Sequence, residues 1–261
     1  ATHTNWGLPD DSTPDAAPGD KDFVRIGVRK TYSNMPIISN STKIGNFIIG
    51  GSQSVSPIIT INANTTLTVA GNFINERESK FMGSGSFAIE GNWNTTGGKI
   101  DLLSENVTVK FSGSKVQSIK DNGSDSNNGV LFGNVVFSEG GTKTLGGNGK
   151  FAIAVGRYLT MEANTVLQAS GKLTLKSSAL GSASINAVPA TSSIQGNVTV
   201  ERFVQGGDKA MFRTYRMWSS PVYDNSSNFI NTNIVGSRTF SFTQFIDDII
   251  ITDKDGVGNG F

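Results

Sequence analysis

The chain contains no cysteine, and this absence excludes disulfide bonds, thiol catalysis and thiolate metal sites. Histidine is almost absent as well, since the chain has a single copy, His3. His3 has no nearby partner of the kind that a catalytic triad needs. Charge is scarce too. The 22 basic and 21 acidic residues leave a formal net charge of +1, and a chain so balanced has no general attraction to nucleic acid or anionic lipid.

Long apolar runs and helical patterns are also missing. No run approaches the ~20 apolar residues that a membrane-spanning helix needs, and residues 23–200 show no convincing apolar period of about 3.6 residues. We therefore expect a body that does not span a membrane and holds few helices. The first residue is Ala1 and not Met. A removed signal peptide would explain this start, although a recombinant product would too.

The chain is rich in short β-like segments that end in a Gly-Asn-aromatic triplet. Gly71-Asn72-Phe73 and Gly91-Asn92-Trp93 each close a segment of alternating apolar and polar residues, and they lie 20 residues apart. Gly45-Asn46-Phe47 precedes them. A short β unit cannot bury its apolar face alone and must stack on the next unit, so this repeat predicts a solenoid.

Glycines at turn-like places continue the pattern along the chain. They are Gly45, Gly71, Gly91, Gly113, Gly133, Gly156, Gly171 and Gly196. Their irregular spacing favours an all-β fold, a parallel β-helix over residues 23–200, with loops inserted on one side. We interpret residues 1–22 as an N-terminal cap or extended segment. Residues 201–261 form a C-terminal β region, interpreted as the start of a further domain in a longer protein.

Carboxylates are the first candidates for chemistry, because some β-helix enzymes cut polysaccharides with clustered acids or with calcium and a basic residue. The candidates here are Asp101, Glu105, Lys120, Asp121 and Asp125. Asp is already expected in polar loops as a turn former. A polysaccharide-active enzyme, lyase-like or hydrolase-like, is therefore the alternative hypothesis and not the preferred one.

Near the end of the chain, Asp253 and Asp255 resemble the start of a calcium loop, in which alternating oxygen ligands and a sharp Gly turn wrap the ion. The closing Glu of an EF-hand loop is missing because the chain ends, so a plain turn is the competing interpretation. Asp247 and Asp248 are further candidate ligands. No other cofactor is predicted.

Two polar patterns suggest other ligands without specifying them. The Arg- and aromatic-rich stretch from Arg202 to Trp218 could stack on bases or sugars, but the overall charge argues against nucleic acid, and a strand with inward aromatics explains the pattern as well. Thr66 and Thr68 could begin an ice-binding face, but no Thr-x-Thr ladder recurs in the sequence.

A set of loose motifs runs through most of the chain. They are Trp6, Pro18-Gly19-Asp20, Phe23-Val24-Arg25-Ile26, Pro36, Leu67-Thr68-Val69-Ala70-Gly71-Asn72-Phe73, Val198-Thr199-Val200-Glu201-Arg202-Phe203 and Arg213-Thr214-Tyr215-Arg216-Met217-Trp218-Ser219-Ser220-Pro221-Val222. In these motifs the chain resembles the large surface and secreted proteins that gliding bacteria export through the type IX secretion system.

That resemblance implies a right-handed parallel β-helix, a secreted or outer-surface location, and adhesion or substrate binding. It also implies glycans or cell-surface molecules as partners, together with the outer-membrane secretion machinery. Asp11-Ser12-Thr13 is similar to the short O-glycosylation sequence of such bacteria, which would place a glycan on Ser12. The family's C-terminal sorting domain is absent from the sequence, in agreement with truncation or cleavage. We expect a non-enzymatic protein of adhesin or stalk type.

Overall fold

A computed structural model describes residues 18–27, 35–50, 56–103, 105–123 and 129–203. The chain divides into two compact units, Ala1–Gln205 and Gly206–Phe261, and all described residues belong to the first unit. Most of the predicted N-terminal segment and nearly all of the predicted C-terminal region therefore lie outside the described residues. The described ranges contain strands and no helix, and so no helix that could cross a membrane.

The strands are short, most of them two to five residues long. In chain order they are β1 (Phe23–Ile26), β2 (Ile37–Ile38), β3 (Thr42–Ile44), β4 (Asn46–Ile49), β5 (Ile58–Ile61), β6 (Thr66–Val69), β7 (Phe73–Asn75), β8 (Ser79–Gly83), β9 (Ser86–Ile89), β10 (Trp93–Thr95), β11 (Ile100–Asp101), β12 (Thr108–Phe111), β13 (Gln117–Asp121), β14 (Val130–Phe132), β15 (Asn134–Phe137), β16 (Gly141–Gly147), β17 (Phe151–Ile153), β18 (Tyr158–Met161), β19 (Thr165–Gln168), β20 (Leu173–Leu175), β21 (Ser177–Ser178), β22 (Gly181–Ser182), β23 (Ser184–Ile185), β24 (Ser193–Gln195) and β25 (Val198–Val200).

Successive strands wind around one axis, so that every third strand pairs in parallel. Face 1 is the sheet β1-β4-β7-β10-β13-β16-β19-β24, and face 3 is the sheet β3-β6-β9-β12-β15-β18-β23. Face 2 consists of two sheets, β2-β5-β8-β11 and then β14-β17-β20-β25. Only β21 and β22 pair antiparallel among the described strands, as a small hairpin inserted after face 2 in the last coil. The predicted parallel β-helix is confirmed, and it has about seven turns.

Coil length follows from the pairing register on face 1. Phe47 pairs with Phe73, Phe73 with Trp93, and Trp93 with Ile119, which are separations of 26, 20 and 26 residues. The longest connections, β1 to β2, β4 to β5 and β13 to β14, all lead from face 1 to face 2. The expected insertion of loops on one side is therefore confirmed for the early and middle coils.

The glycine series does not follow a single corner, which corrects part of the sequence interpretation. Gly45, Gly71 and Gly91 all precede strands of face 1. Gly133, by contrast, precedes β15 on face 3, and Gly196 precedes β25 on face 2. The irregular spacing therefore mixes different corners of the coil, in addition to real differences in coil length.

The core is a continuous column of inward side chains, dominated by aromatic residues in the early and middle coils. The ring of Trp93 lies 4.6 Å from that of Phe73, and the rings of Phe81 and Phe87 stack at 4.5 Å. The fully buried aromatic side chains are Phe47, Phe73, Phe81, Phe87, Trp93, Phe111, Phe132, Phe137 and Phe151. Rings pack both within a coil, as Phe73, Phe81 and Phe87 do, and between coils, as Phe47, Phe73 and Trp93 do, so the burial that stabilises one coil depends on the next.

Candidate binding faces

The carboxylates predicted from the sequence do not meet in one place. Asp101 lies on face 2, where its Oδ1 accepts a 2.9 Å hydrogen bond from the backbone N–H of Leu103. Glu105 is exposed in the corner between faces 2 and 3, where it accepts a hydrogen bond from the backbone N–H of Gly83. The contact of Asp101 is that of a turn-forming carboxylate, and the contact of Glu105 links two neighbouring coils.

Asp121 and Lys120 are neighbours in sequence but lie on opposite sides of the same strand. Asp121 is buried, with 3% exposure, and its Oδ1 accepts a 3.1 Å hydrogen bond from the backbone N–H of Gly123. Lys120 points outward and is exposed. Asp125 lies outside the described residues. Within the described ranges, no group of three His, Cys, Asp or Glu residues could hold a metal ion.

The remaining candidates lie outside the part of the chain that the structure describes. These are His3, the glycosylation candidate Ser12, the calcium candidates Asp253 and Asp255, and the stretch after Phe203. They stay predictions. Of the Arg- and aromatic-rich stretch, Arg202 and Phe203 are described, and both are exposed.

Face 1 carries a row of amide and hydroxyl side chains, which we call the amide row. The backbone N–H of Asn72 donates to Oδ1 of Asn46 at 2.8 Å, that of Asn92 to Oδ1 of Asn72 at 2.9 Å, and that of Ser118 to Oδ1 of Asn92 at 2.8 Å. Register pairing continues the row through Thr144, Gln168 and Gln195. The sequence revealed the Gly-Asn triplets, but not that their side chains link coil to coil.

The row depends on the glycines that precede the asparagines. A Cβ atom on Gly71 would lie 2.4 Å from Oδ1 of Asn46, and a Cβ atom on Gly91 would lie 2.2 Å from the carbonyl oxygen of Gly71. Real Cβ atoms do not approach oxygen that closely, so only glycine lets the coils stack at this corner. The triplet is thus a packing requirement of the repeat.

Face 2 presents apolar side chains between polar ones such as Thr60, Lys80 and Asp101. Outward side chains there include Ile37, which is 58% exposed, and the partly exposed Ile58, Met82 and Leu131. A shallow depression of about 310 Å³ lies where the sheet ending in β11 meets the sheet starting with β14. Leu103 and Leu131 line it together with Lys99 and Asp101.

Face 3 presents mostly small polar side chains, crossed by an ion pair. Thr66 pairs with Ser86 and Thr68 with Ala88, and the next coil places Thr108 and Lys110 in the same columns. The hydroxyl pattern of an ice-binding face therefore does not repeat. Nζ of Lys43 lies 2.8 Å from Oε1 of Glu90, a contact that bridges two coils.

A buried polar pair lies beneath face 1. Lys143 is fully buried, and its ammonium group donates hydrogen bonds to the carbonyl oxygens of Gly113 and, at 2.8 Å, of Gly140. Burial lowers the pKa of Lys143 to about 8, although the charge of Glu139 acts in the opposite direction. Its register neighbour Gln117 is 1% exposed, and Nε2 donates to the carbonyl of Ile89 at 2.8 Å.

The sequence signal for this pair was alternation. Lys143 lies two positions before Leu145, and Gln117 lies two positions before Ile119. Because alternate residues of a strand point to the same side, both polar side chains point into the core. Both side chains donate hydrogen bonds to backbone carbonyls of the corner that leads into face 1, Gln117 to that of Gly91 and Lys143 to that of Gly113. The pair is therefore structural and offers no open site.

Comparisons with models of protein families, with characterised proteins and with solved structures found no match.

Proposed function

We propose that the chain is a non-enzymatic secreted or cell-surface protein of adhesin or stalk type, whose β-helix presents its flat faces to ligands. The proposal is supported first by the repeat itself. Strands on each face stack in register from coil to coil, which makes an extended surface with regularly spaced outward positions. Such a surface suits a polymeric or multivalent partner better than a small molecule.

The observation that carries the proposal is the separation of the candidate acids. Hydrolysis of a glycosidic bond needs two carboxyl groups about 5 to 9 Å apart across the bond. Here Asp101 lies on face 2, Glu105 in the corner that follows face 2, and Asp121 in the interior beneath face 1. The row that does recur on the outside of face 1 consists of amides and hydroxyls, which bind without reacting.

The location and the route of export are proposed from the motifs that resemble type IX secretion cargo. On this proposal the chain reaches the outer surface or the medium through the outer-membrane secretion machinery. Its partners are then glycans or molecules of another surface. A glycan on Ser12 belongs to the same proposal, whereas calcium at Asp253 and Asp255 stays a sequence prediction beside a plain turn.

One binding experiment with two readouts tests the proposed function. The purified chain is applied to a broad panel of immobilised polysaccharides, and retention and released sugar are measured on the same samples. We expect retention on at least one polymer without release of shorter products. Steady release of oligosaccharides, or of unsaturated products absorbing in the ultraviolet, would show that the enzyme hypothesis is correct instead.

The location needs a separate measurement in cells that produce the protein. Intact cells are treated with an external protease, and the chain is followed with an antibody against the β-helix. We expect cleavage of accessible loops or recovery of the chain in the medium while a cytoplasmic marker stays intact. Full protection until the cells are lysed would contradict the proposed location.

A further inference from the structure

The amide row offers hydrogen-bond donors to the outside in its first coils. An Asn side chain has one acceptor oxygen and two N–H donors. In Asn46, Asn72 and Asn92 the oxygen is engaged by a backbone N–H of the next coil. No hydrogen bond joins their Nδ2 groups to any other described residue, and Asn72 and Asn92 are exposed. The free donors therefore face solvent.

These donors are spaced by the coil repeat. Paired strands lie about 4.8 Å apart, so successive asparagines repeat at that distance along the solenoid axis. A second outward column on face 1 contains Asn94 and, one coil later, Lys120. Oδ1 of Asn94 accepts a 2.9 Å hydrogen bond from Nδ2 of Asn122, so Asn94 also keeps its donors free.

An exposed aromatic ring begins the row. Phe23 pairs in register with Asn46 and is 61% exposed, which is unusual for a large apolar side chain at the start of a polar row. The flat face of a ring is suited to pack against the apolar face of a sugar. Phe23, Asn46, Asn72, Asn92, Asn94 and Lys120 together form what we call the donor patch.

The electrostatics of the donor patch favour an anion. No outward residue of the face 1 strands in the described ranges is acidic. Of the carboxylates that border these coils, Glu76 is paired with Arg25 at 3.1 Å, and Glu90 is paired with Lys43 at 2.8 Å. Asp22, next to Phe23, accepts a hydrogen bond from the backbone N–H of Gly19, and Glu78 is exposed in the corner that leads from face 1 to face 2. Glu139 and Glu162 lie in corners of later coils, beyond the patch.

We propose that the donor patch binds a linear acidic polysaccharide that runs along the solenoid axis. An ionised carboxylate only accepts hydrogen bonds, so it complements the free Nδ2 donors of the asparagines and the ammonium group of Lys120. An extended sugar chain advances per residue by a distance similar to the coil spacing, which lets successive sugars meet successive asparagines. The inference rests on the proposed binding function and names the face and the class of ligand.

The test variant is Asn72→Asp combined with Asn92→Asp. Aspartate keeps an oxygen that can accept the backbone N–H of the next coil, so the amide row is preserved. It removes the outward NH₂ donors and adds negative charge where the polymer carboxylates would bind. The matched control is Asn134→Asp on face 3, because Oδ1 of Asn134 accepts from the backbone N–H of Tyr158 at 3.3 Å in the same way.

Binding is measured with polygalacturonate and alginate fragments of graded length, with dextran as the neutral polymer, and thermal melts confirm that each variant is folded. We expect the wild-type chain to bind the acidic polymers more tightly as their length grows and more weakly in high salt. The double variant loses affinity by about 10- to 100-fold. Asn134→Asp binds as the wild type does.

Other outcomes separate this inference from the proposed function. If the wild-type chain binds acidic polymers and the folded double variant binds them equally well, the donor patch is not the site, and the binding function stands. Equal binding of dextran, or binding to none of these polymers, also overturns the inference alone. Release of shortened polymer overturns the proposed non-enzymatic function.

Discussion

The backbone N–H of Asn92 donates a 2.9 Å hydrogen bond to Oδ1 of Asn72, a residue 20 positions earlier in sequence and one coil earlier in the solenoid. The same contact joins Asn46 to Asn72 and Asn92 to Ser118. Backbone hydrogen bonds flank this contact, from the N–H of Gly91 to the carbonyl of Gly71 and from the N–H of Phe73 to the carbonyl of Asn92. The asparagine side chain thus adds a further link between the coils at the corner.

Replacing Asn72 by Ala should destabilise the fold modestly, because the N–H of Asn92 loses its partner. A hydrogen bond of this kind contributes about 1 kcal/mol, and water replaces part of it at an exposed corner. We expect a lower urea midpoint for Asn72→Ala and a nearly unchanged midpoint for Asn72→Asp, which keeps the acceptor. A loss of equal size in both variants would mean that the amide row does not stabilise the corner.

Gly91 should not tolerate a methyl group. In Gly91→Ala the new Cβ would meet the carbonyl oxygen of Gly71 at 2.2 Å, which is backbone and cannot rotate away. We expect destabilisation of about 1 to 3 kcal/mol or more in urea unfolding. Gly146→Ala on the same face is the control, since its Cβ would meet only Cγ of Lys120 at 3.6 Å. Similar midpoints for the two variants would contradict the close approach of these coils.

The solenoid and its inward positions could be predicted because they follow from alternation. Leu67 and Val69 alternate with Thr66 and Thr68 in the sequence, and the structure buries the first pair and leaves the second partly exposed. The step of 20 residues from Gly71 to Gly91 likewise equals the separation of Phe73 and Trp93, which pair in register on face 1. Local patterns of this kind depend on one strand and its immediate neighbours.

The face on which each residue lies could not be predicted, because it depends on the number of residues in each corner. Asn72 and Asn134 both follow a glycine and precede an apolar residue, yet the first lies on face 1 and the second on face 3. The ion pair of Lys43 with Glu90 joins residues 47 positions apart, and nothing in the local sequence marks it. The positions of the candidate acids were unpredictable for the same reason.

Trp93 should be the most sensitive single position of the core. Its side chain is fully buried and contacts the rings of Phe73 and Phe111, and its Nε1 donates a 2.9 Å hydrogen bond to Oγ1 of Thr95. Trp93→Ala leaves a large cavity, and we expect a loss of about 3 to 5 kcal/mol in urea unfolding. Trp93→Phe keeps most contacts and should lose less. Equal losses would place the stabilisation in the hydrogen bond and not in packing.

Lys143 should make stability depend on pH in the alkaline range. Burial lowers its pKa in the folded state to about 8 from an ordinary value of 10.5, so between these values the unfolded chain binds more protons than the folded chain. Stability contributed by this residue therefore rises as the pH is raised from 8 towards 10.5, by roughly 3 kcal/mol, and is flat below pH 8. Lys143→Met keeps the apolar stem and removes the titration, so urea unfolding across this range should show the rise in the wild-type chain and not in the variant. Parallel pH profiles for the two proteins would mean that the ammonium group remains hydrated.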